Sequence, residues 1–327
     1  MSRASIAAAT GLLVILGAST APAADKTEGA YPNRPIRLII PFVPGGPSDF
    51  LSRLVGAKLS ENLGQQIISD NRGSAGGLLG FEMAAHSTPD GYTLLMAAYS
   101  GYTINPHVYK KLPYDPIKEL QPITQLTLGG NIVIVNPSVN AQTLKEFIAL
   151  AKSMPGKMNY ASTGTGPLLA TERFKRATGI DMVNIPYKGT GQAQIALLSN
   201  EVQFFVENPL IAVSNIKTGK VRALAVTSLK RNPVLPDLPT VEEAAGLPGY
   251  ENVTWHSFAF PAGVPRRVLK KMHDEIVKAL NTPSVRDTIL AQGLEPVGNT
   301  PEEVSARIKK ESAEYAKLVK EIGYQPQ

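Results

Sequence analysis

The stretch IRLIIPFVPGGPSD, residues 36–49, decides how this chain is read. Ile36 to Val43 is an apolar run interrupted only by Arg37 and reads as a buried strand. Pro44, Gly45, Gly46 and Pro47 break it, and Ser48 and Asp49 open a helix whose Leu51, Leu54, Val55 and Leu59 share one face before Gly64 stops it. A core strand therefore ends in a turn with no side-chain bulk, and a helix points its first turn into that space.

A second stretch repeats the order. IIPFVPGGPSDFLSRLV (39–55) and MNYASTGTGPLLATERF (158–174) both read strand, Gly-rich turn, helix. They lie about 120 residues apart, enough to give each its own domain. The first amides of a helix lack intrahelical acceptors, and the macrodipole adds partial positive charge there. Glycine lets a ligand approach the backbone. Two such turns facing each other would form a cleft suited to a carboxylate or phosphate. A hydrogen bond to a charged group contributes about 1.5–3 kcal/mol, so four or five reach the roughly 8 kcal/mol of a micromolar complex before ordering costs. For either turn taken alone, the glycines are equally explained by tight strand-to-helix geometry.

Through most of the chain, short β-like runs alternate with capped helices. The expected strands are 36–42, 66–69, 93–98, 131–135, 158–162, 182–185, 203–206 and 222–227. Thr143 and Glu146 have capping-box spacing, Pro167 marks a first helical position, and Gly179 follows that helix. The alternation predicts an α/β fold with mostly parallel strands. The tail reads as helical, with starts at Pro265, Pro283 and Thr300-Pro301, and needs the first domain's sheet to cover it. Trp255, in VTWHSFAFPAG, is assigned to core packing.

The 327 residues suffice for two domains, and 43% hydrophobic against 18% charged residues allows large cores. A net charge of +6 without a Lys/Arg block gives no nucleic-acid partner. Arg3, the apolar stretch 6–17 and Ala21-Pro22-Ala23 have the layout of a secretory signal peptide, residues 1–23, which predicts export to the periplasm. There is no cysteine, so disulfides, thiol catalysis and Cys-ligated metals are excluded. GxxxxGK(S/T) does not occur, and GTGPLL (164–169) has Leu169 where a dinucleotide turn needs glycine. His86, His107, His256 and His273 form no metal or catalytic spacing and are assigned to surface or satisfied positions. No base accompanies the turn hydroxyls, so the chain reads as a binding protein with no cofactor rather than an enzyme. Asp49 is expected to turn away from the anion site and pair with Arg53 at i+4.

The motifs PFVPGGPSD, DNRGSAGG (70–77), PDGYTLL (89–95), KLPYDPIKELQPIT (111–124), YASTGTG (160–166), PYKG (186–189), GKVRALAVTS (219–228) and LPTVEEAAGLPGY (238–250) occur in one order from Tyr31 to the C-terminus. In these the chain resembles the Bug family, extracytoplasmic solute receptors of tripartite tricarboxylate transporters. The resemblance implies an α/β periplasmic-binding-protein-like Venus flytrap, with domain 1 at 31–126 plus 247–327 and domain 2 at 127–246. It implies a small carboxylate ligand, a dicarboxylate or aromatic acid among the options, and a two-component integral membrane permease as partner. Binding loops map to 44–49, 73–76, 98–102, 162–166, 187–191 and 206–208. The candidate ligand-binding residues are Pro44, Gly45, Gly46, Ser48, Ser74, Ala75, Ser100, Thr163, Gly164, Thr165, Gly166, Tyr187 and Glu207. This chain departs from the family pattern at Pro47, at Arg72-Gly73-Ser74-Ala75, in the turn after Gly166 and at Glu207. Tyr99, Tyr102 and Phe205 near these loops lean the reading towards a larger or aromatic acid, or merely pack. Alternative roles on the same scaffold are a sensor subunit for a membrane kinase and an exported hydrolase or isomerase.

Overall fold

A computed structural model describes residues 31–326; the expected signal peptide lies outside the described residues. The strands are β1 (Ile36–Ile40), β2 (Ile67–Asn71), β3 (Thr93–Ala98), β4 (Leu120–Gly130), β5 (Ile132–Val135), β6 (Asn159–Ser162), β7 (Val183–Pro186), β8 (Phe204–Glu207), β9 (Arg222–Val226), β10 (Val253–Pro261) and β11 (Glu295–Pro296). They form two sheets, ordered β11-β4-β10-β3-β1-β2 and β7-β6-β8-β5-β9. With their covering helices these are the two lobes of a periplasmic-binding-protein fold. In β1 the apolar run behaves as read: Ile36, Leu38, Ile39 and Ile40 have no exposed surface, and β1 pairs in parallel with β2 and β3.

The expectation of mostly parallel strands is corrected. β10 runs antiparallel to both β3 and β4, β11 antiparallel to β4, and β5 antiparallel to β8 and β9. The reason is the path of the chain. It leaves the first sheet along β4, crosses at Asn131 into β5, and returns after β9 along β10, so outgoing and returning strands lie side by side. At this crossing Thr227 N–H donates to Asn131 O at 2.8 Å, and Asn252 N–H donates to Thr227 O at 2.8 Å. The Asn131 amide also donates to Asn252 Oδ1 at 2.9 Å.

β4 and β10 were not expected as strands, and local sequence disguises both. Pro122 lies within β4, where a proline removes a ladder donor. It is tolerated because its partner Ala259 sits at a register shift after Phe258. In β10 the buried Thr254, His256 and Ser257 blur the apolar pattern. Trp255 packs in the core as expected. Its ring stacks on Tyr102 with centroids 6.0 Å apart, and its N–H donates to Glu311 Oε2 at 2.7 Å.

Most helices start where the caps indicate. Pro47–Leu63 ends at Gly64 in the left-handed conformation, and Pro301–Glu321 has a full capping box from Thr300 and Glu303. Two details differ. The Thr143 hydroxyl caps Glu146 N–H, but the Glu146 carboxylate accepts from Gln142 N–H instead of completing the box. The helix at Pro167 begins two residues earlier, at Thr165, and ends at Gly179.

The short helix Tyr99–Thr103 after β3 wedges between the core and the cleft. Gly101 is required there, because a Cβ would overlap the Phe81 ring, which is stacked at 5.2 Å on Tyr114. Gly101→Ala should therefore lower stability by about 1–3 kcal/mol, the cost of overpacking a filled core. Urea denaturation measures this, and a wild-type midpoint would show that Phe81 has room to move.

Candidate functional site

The cavity lies between the sheets, beyond the carboxyl ends of β1, β3, β6 and β8, where open α/β sheets place ligands. Its position follows from the helices. Gly46, Ala98, Gly164, Gly189 and Asn208 are the N-caps of the helices Pro47–Leu63, Tyr99–Thr103, Thr165–Thr178, Thr190–Leu198 and Pro209–Lys217, and all five line this one cavity. At Gly46, Gly164 and Gly189 no side chain caps the helix. The first intrahelical bonds there come from Phe50, Leu168 and Ala193. The amides before them, at Ser48, Asp49, Thr165, Gly166, Thr190, Gly191 and Gln192, have no acceptor within their helices. Pro47 and Pro167 have no amide to give. The two Gly-rich turns do meet, from opposite lobes.

Their details correct part of the expectation. Asp49 pairs with Arg53 at 3.0 Å and stays out of the cavity lining as expected, but its carboxylate also binds the turn: Oδ2 accepts from Gly45 N–H at 3.1 Å, and Oδ1 from Asn71 at 3.0 Å. Burial works to raise the Asp49 pKa, but the bonds from Arg53, Gly45 and Asn71 outweigh it and hold the pKa below its ordinary value. The carboxylate thus knots the turn from beneath and consumes the Gly45 amide. Gly45 and Pro44 do not line the cavity; Gly46 and Ser48 do.

Ser100, Thr163, Gly164, Thr165, Gly166 and Glu207 line the same cavity of about 120 Å³. The Thr165 hydroxyl is committed across the lobes, donating to Asn105 Oδ1 at 2.8 Å. Ser74, Ala75 and Tyr187 line a neighbouring annex of about 580 Å³ that shares Phe42, Val43, Gly76, Lys188 and the turn Thr163–Thr165 with the cavity. There the Ser74 hydroxyl accepts from Leu79 N–H, and the Tyr187 hydroxyl donates to Glu201. Of the aromatic residues near the loops, Tyr99 lines the cavity, whereas Tyr102 and Phe205 are wholly buried in the cores. The lobes touch elsewhere too: a Cβ at Gly189 would come 2.7 Å from Val43, and one at Gly166 would come 2.8 Å from the Tyr99 hydroxyl.

The family model of the tripartite tricarboxylate transporter family receptor matches residues 51–324. The chain belongs to that receptor family. Three solved structures resemble it over nearly their whole length. A Rhodopseudomonas palustris protein solved with adipate is 30% identical with a TM-score of 0.87, over 91% of this chain and 100% of that one. The periplasmic binding protein BugD is 32% identical with a TM-score of 0.85, over 91% and 100%. MatC from Rhodopseudomonas palustris, solved with malate, is 29% identical with a TM-score of 0.83, over 88% and 100%. The chain is a receptor of a binding-protein family, not an enzyme.

Several lining residues of this receptor were not among the named candidates: Asn131, Lys188, Thr190, Asn208, Thr254 and His256, of which Lys188, Thr190 and Asn208 do lie in the mapped binding loops. Asn208 and Thr190 were findable, since each sits at a helix start. Asn131, Thr254 and His256 were not, because they reach the cavity through the unexpected pairing of β4 with β10. His256 is satisfied, as assigned, and it also takes a place in the cavity wall that the sequence did not indicate. It is buried in the cavity wall, with Nδ1 3.3 Å from the Thr127 hydroxyl.

The charge balance of the receptor's cavity is unusual for an anion site. Lys188 is the one cationic side chain of its lining and is exposed; Glu207 is the one carboxyl and is buried. Glu207 accepts from Gln194 Nε2 at 2.9 Å and from Asn208 N–H at 2.8 Å, and no cation among the described residues is in ion-pair range. Burial pushes its pKa up from 4.5 to about 7, against the smaller pull of those two bonds. Burial also pushes His256 down from 6.5 to about 4. Both groups are therefore largely neutral in mildly acidic solution, which suits an incoming anion.

Linkage gives these two groups opposite signs. Between pH 4.5 and 7 the unfolded chain has released the Glu207 proton that the folded chain keeps, so this contribution falls as pH rises, by at most about 3 kcal/mol. Between pH 6.5 and 4 the unfolded chain takes up a His256 proton that the folded chain refuses, so that contribution falls as pH falls. Glu207→Gln removes the first and leaves the second. Its melting temperature should therefore rise more than the wild type's between about pH 5 and about pH 7.5. Calorimetry at the two values measures the difference, and equal rises would mean that Glu207 titrates as an ordinary exposed carboxyl.

Proposed function

We propose that this receptor is exported, binds a small organic carboxylate between its lobes, and delivers it to the two-component membrane permease of a tripartite tricarboxylate-type transporter. The observation that carries the reading is the convergence of five helix starts on one cavity, four of them without a side-chain cap. Donors fixed in the backbone favour an anion without a buried cation to neutralise it. Gly46, Ser48 and Ser100 act from the first lobe, and Thr163 to Gly166 and Glu207 from the second. The bound adipate and malate of two similar receptors support the chemical class.

The domain division belongs to the same proposal: 31–126 plus 247–327 for the first lobe and 127–246 for the second. The strand crossings at Asn131 and between β9 and β10 lie close to those limits. Ligand binding stabilises the closed arrangement, in which Thr165 bonds Asn105 and Val43 meets Gly189.

The test is a thermal-shift screen of the chain from residue 24 against mono-, di- and tricarboxylates, adipate and malate among them. A ligand at 100 times its dissociation constant adds about 2.7 kcal/mol, roughly a 5 °C rise for a chain of this size. Gly46→Asp places a like charge where the nearest atom to a new Cβ is 4.0 Å away, so it fits sterically and repels electrostatically. It should weaken binding at least about 100-fold without lowering the unliganded melting temperature by more than a few degrees. Undiminished affinity in Gly46→Asp would overturn the site, and no shift from any carboxylate would overturn the ligand class.

A further inference from the structure

The cavity among the helix starts is small. At about 120 Å³ it is below the roughly 150 Å³ of an engineered cavity that admits benzene. It has room for a carboxylate and a few carbons. The annex beside it is several times larger, about 580 Å³. Its walls carry Tyr109, Leu168, Tyr187 and Tyr324, drawn from both lobes, and no carboxylate side chain lines it.

Two glycines stand where the chambers adjoin. Gly164 lines both, and a Cβ there would meet nothing within 4 Å, so the space beside it is open. Gly76 also lines both, and a Cβ there would come within 2.6 Å of the Tyr109 hydroxyl. Side chains at these positions would narrow the passage or displace the tyrosine.

We infer that the annex is the seat for the apolar body of the ligand, and that this receptor selects carboxylates with six or more carbons, straight-chain or aromatic, over short ones. This rests on the carboxylate reading above. One carboxylate takes the helix amides of the inner cavity. The chain passes Gly164 and lies against the tyrosines and Leu168, bridging the lobes along its length. Specificity then comes from apolar contact in the annex, while the amides supply a grip common to any carboxylate.

The experiment is calorimetric titration of a series from succinate through adipate to suberate, with phenylpropionate, on wild type, Tyr109→Ala and Tyr324→Ala. Burial of each added methylene should raise affinity about fourfold until the annex is filled, so suberate should exceed succinate by well over tenfold. Both variants should weaken suberate and phenylpropionate at least tenfold and succinate less than twofold. Tyr324 lies three residues from the chain end, so its variant keeps the test usable if Tyr109→Ala fails to fold. Succinate binding as tightly as suberate, or the variants weakening every ligand alike, would overturn the annex while leaving the carboxylate reading in place. If no member of the series binds, the carboxylate reading fails and the annex proposal with it.

Discussion

The structure depends on backbone N–H groups that helices cannot satisfy for themselves. Every helix leaves such donors at its start, and most proteins cover them with a capping side chain or water. Here the helices beginning after Gly46, Gly164 and Gly189 have no side-chain cap, and all three open on one cavity. Elsewhere the same chain caps fully, as at Thr240 and Thr300. Three uncapped glycine starts thus gather at one place, where a ligand can complete them.

Bringing those starts together is the work of the paired strands β4 and β10. They lie side by side in the first sheet and carry the chain out to the second lobe and back. Asn131, Thr227 and Asn252 hydrogen-bond one another where the chain crosses. The lobes therefore share one fixed edge and face each other across the strand ends. Contacts outside the strand crossing reinforce this. Leu169 of the second lobe joins the core that holds Tyr99 and Trp255, and Arg176 reaches Glu321 of the C-terminal helix at 3.4 Å.

Electrostatics in the site follow from burial rather than from opposite charge. A cation in the wall would bind anions indiscriminately and cost desolvation when empty. The chain instead uses fixed dipoles, keeps its only lining lysine exposed, and buries Glu207 and His256 in environments that disfavour their charged forms. Asp49, close to the first turn, stays charged because Arg53, Asn71 and the Gly45 amide occupy it. Its negative charge is spent on holding the turn.

The sequence by itself determined the local units: a buried strand at Ile36, helices ended by Gly64 and Gly179, and two Gly-rich turns that expose helix starts. These signals act over a few residues, so they are legible without a fold. The ordered motifs also carried the family and with it the two-lobed architecture. Only the tertiary structure decided which polar groups remain available. Gly45 looked like a donor until Asp49, four residues on, was seen to take its amide, and His256 looked inert until β10 placed it in the cavity wall. Pro122 hid β4 because a ladder position that tolerates proline exists only once its partner strand shifts register. Such facts depend on pairing between residues more than 100 positions apart, and no local pattern encodes them.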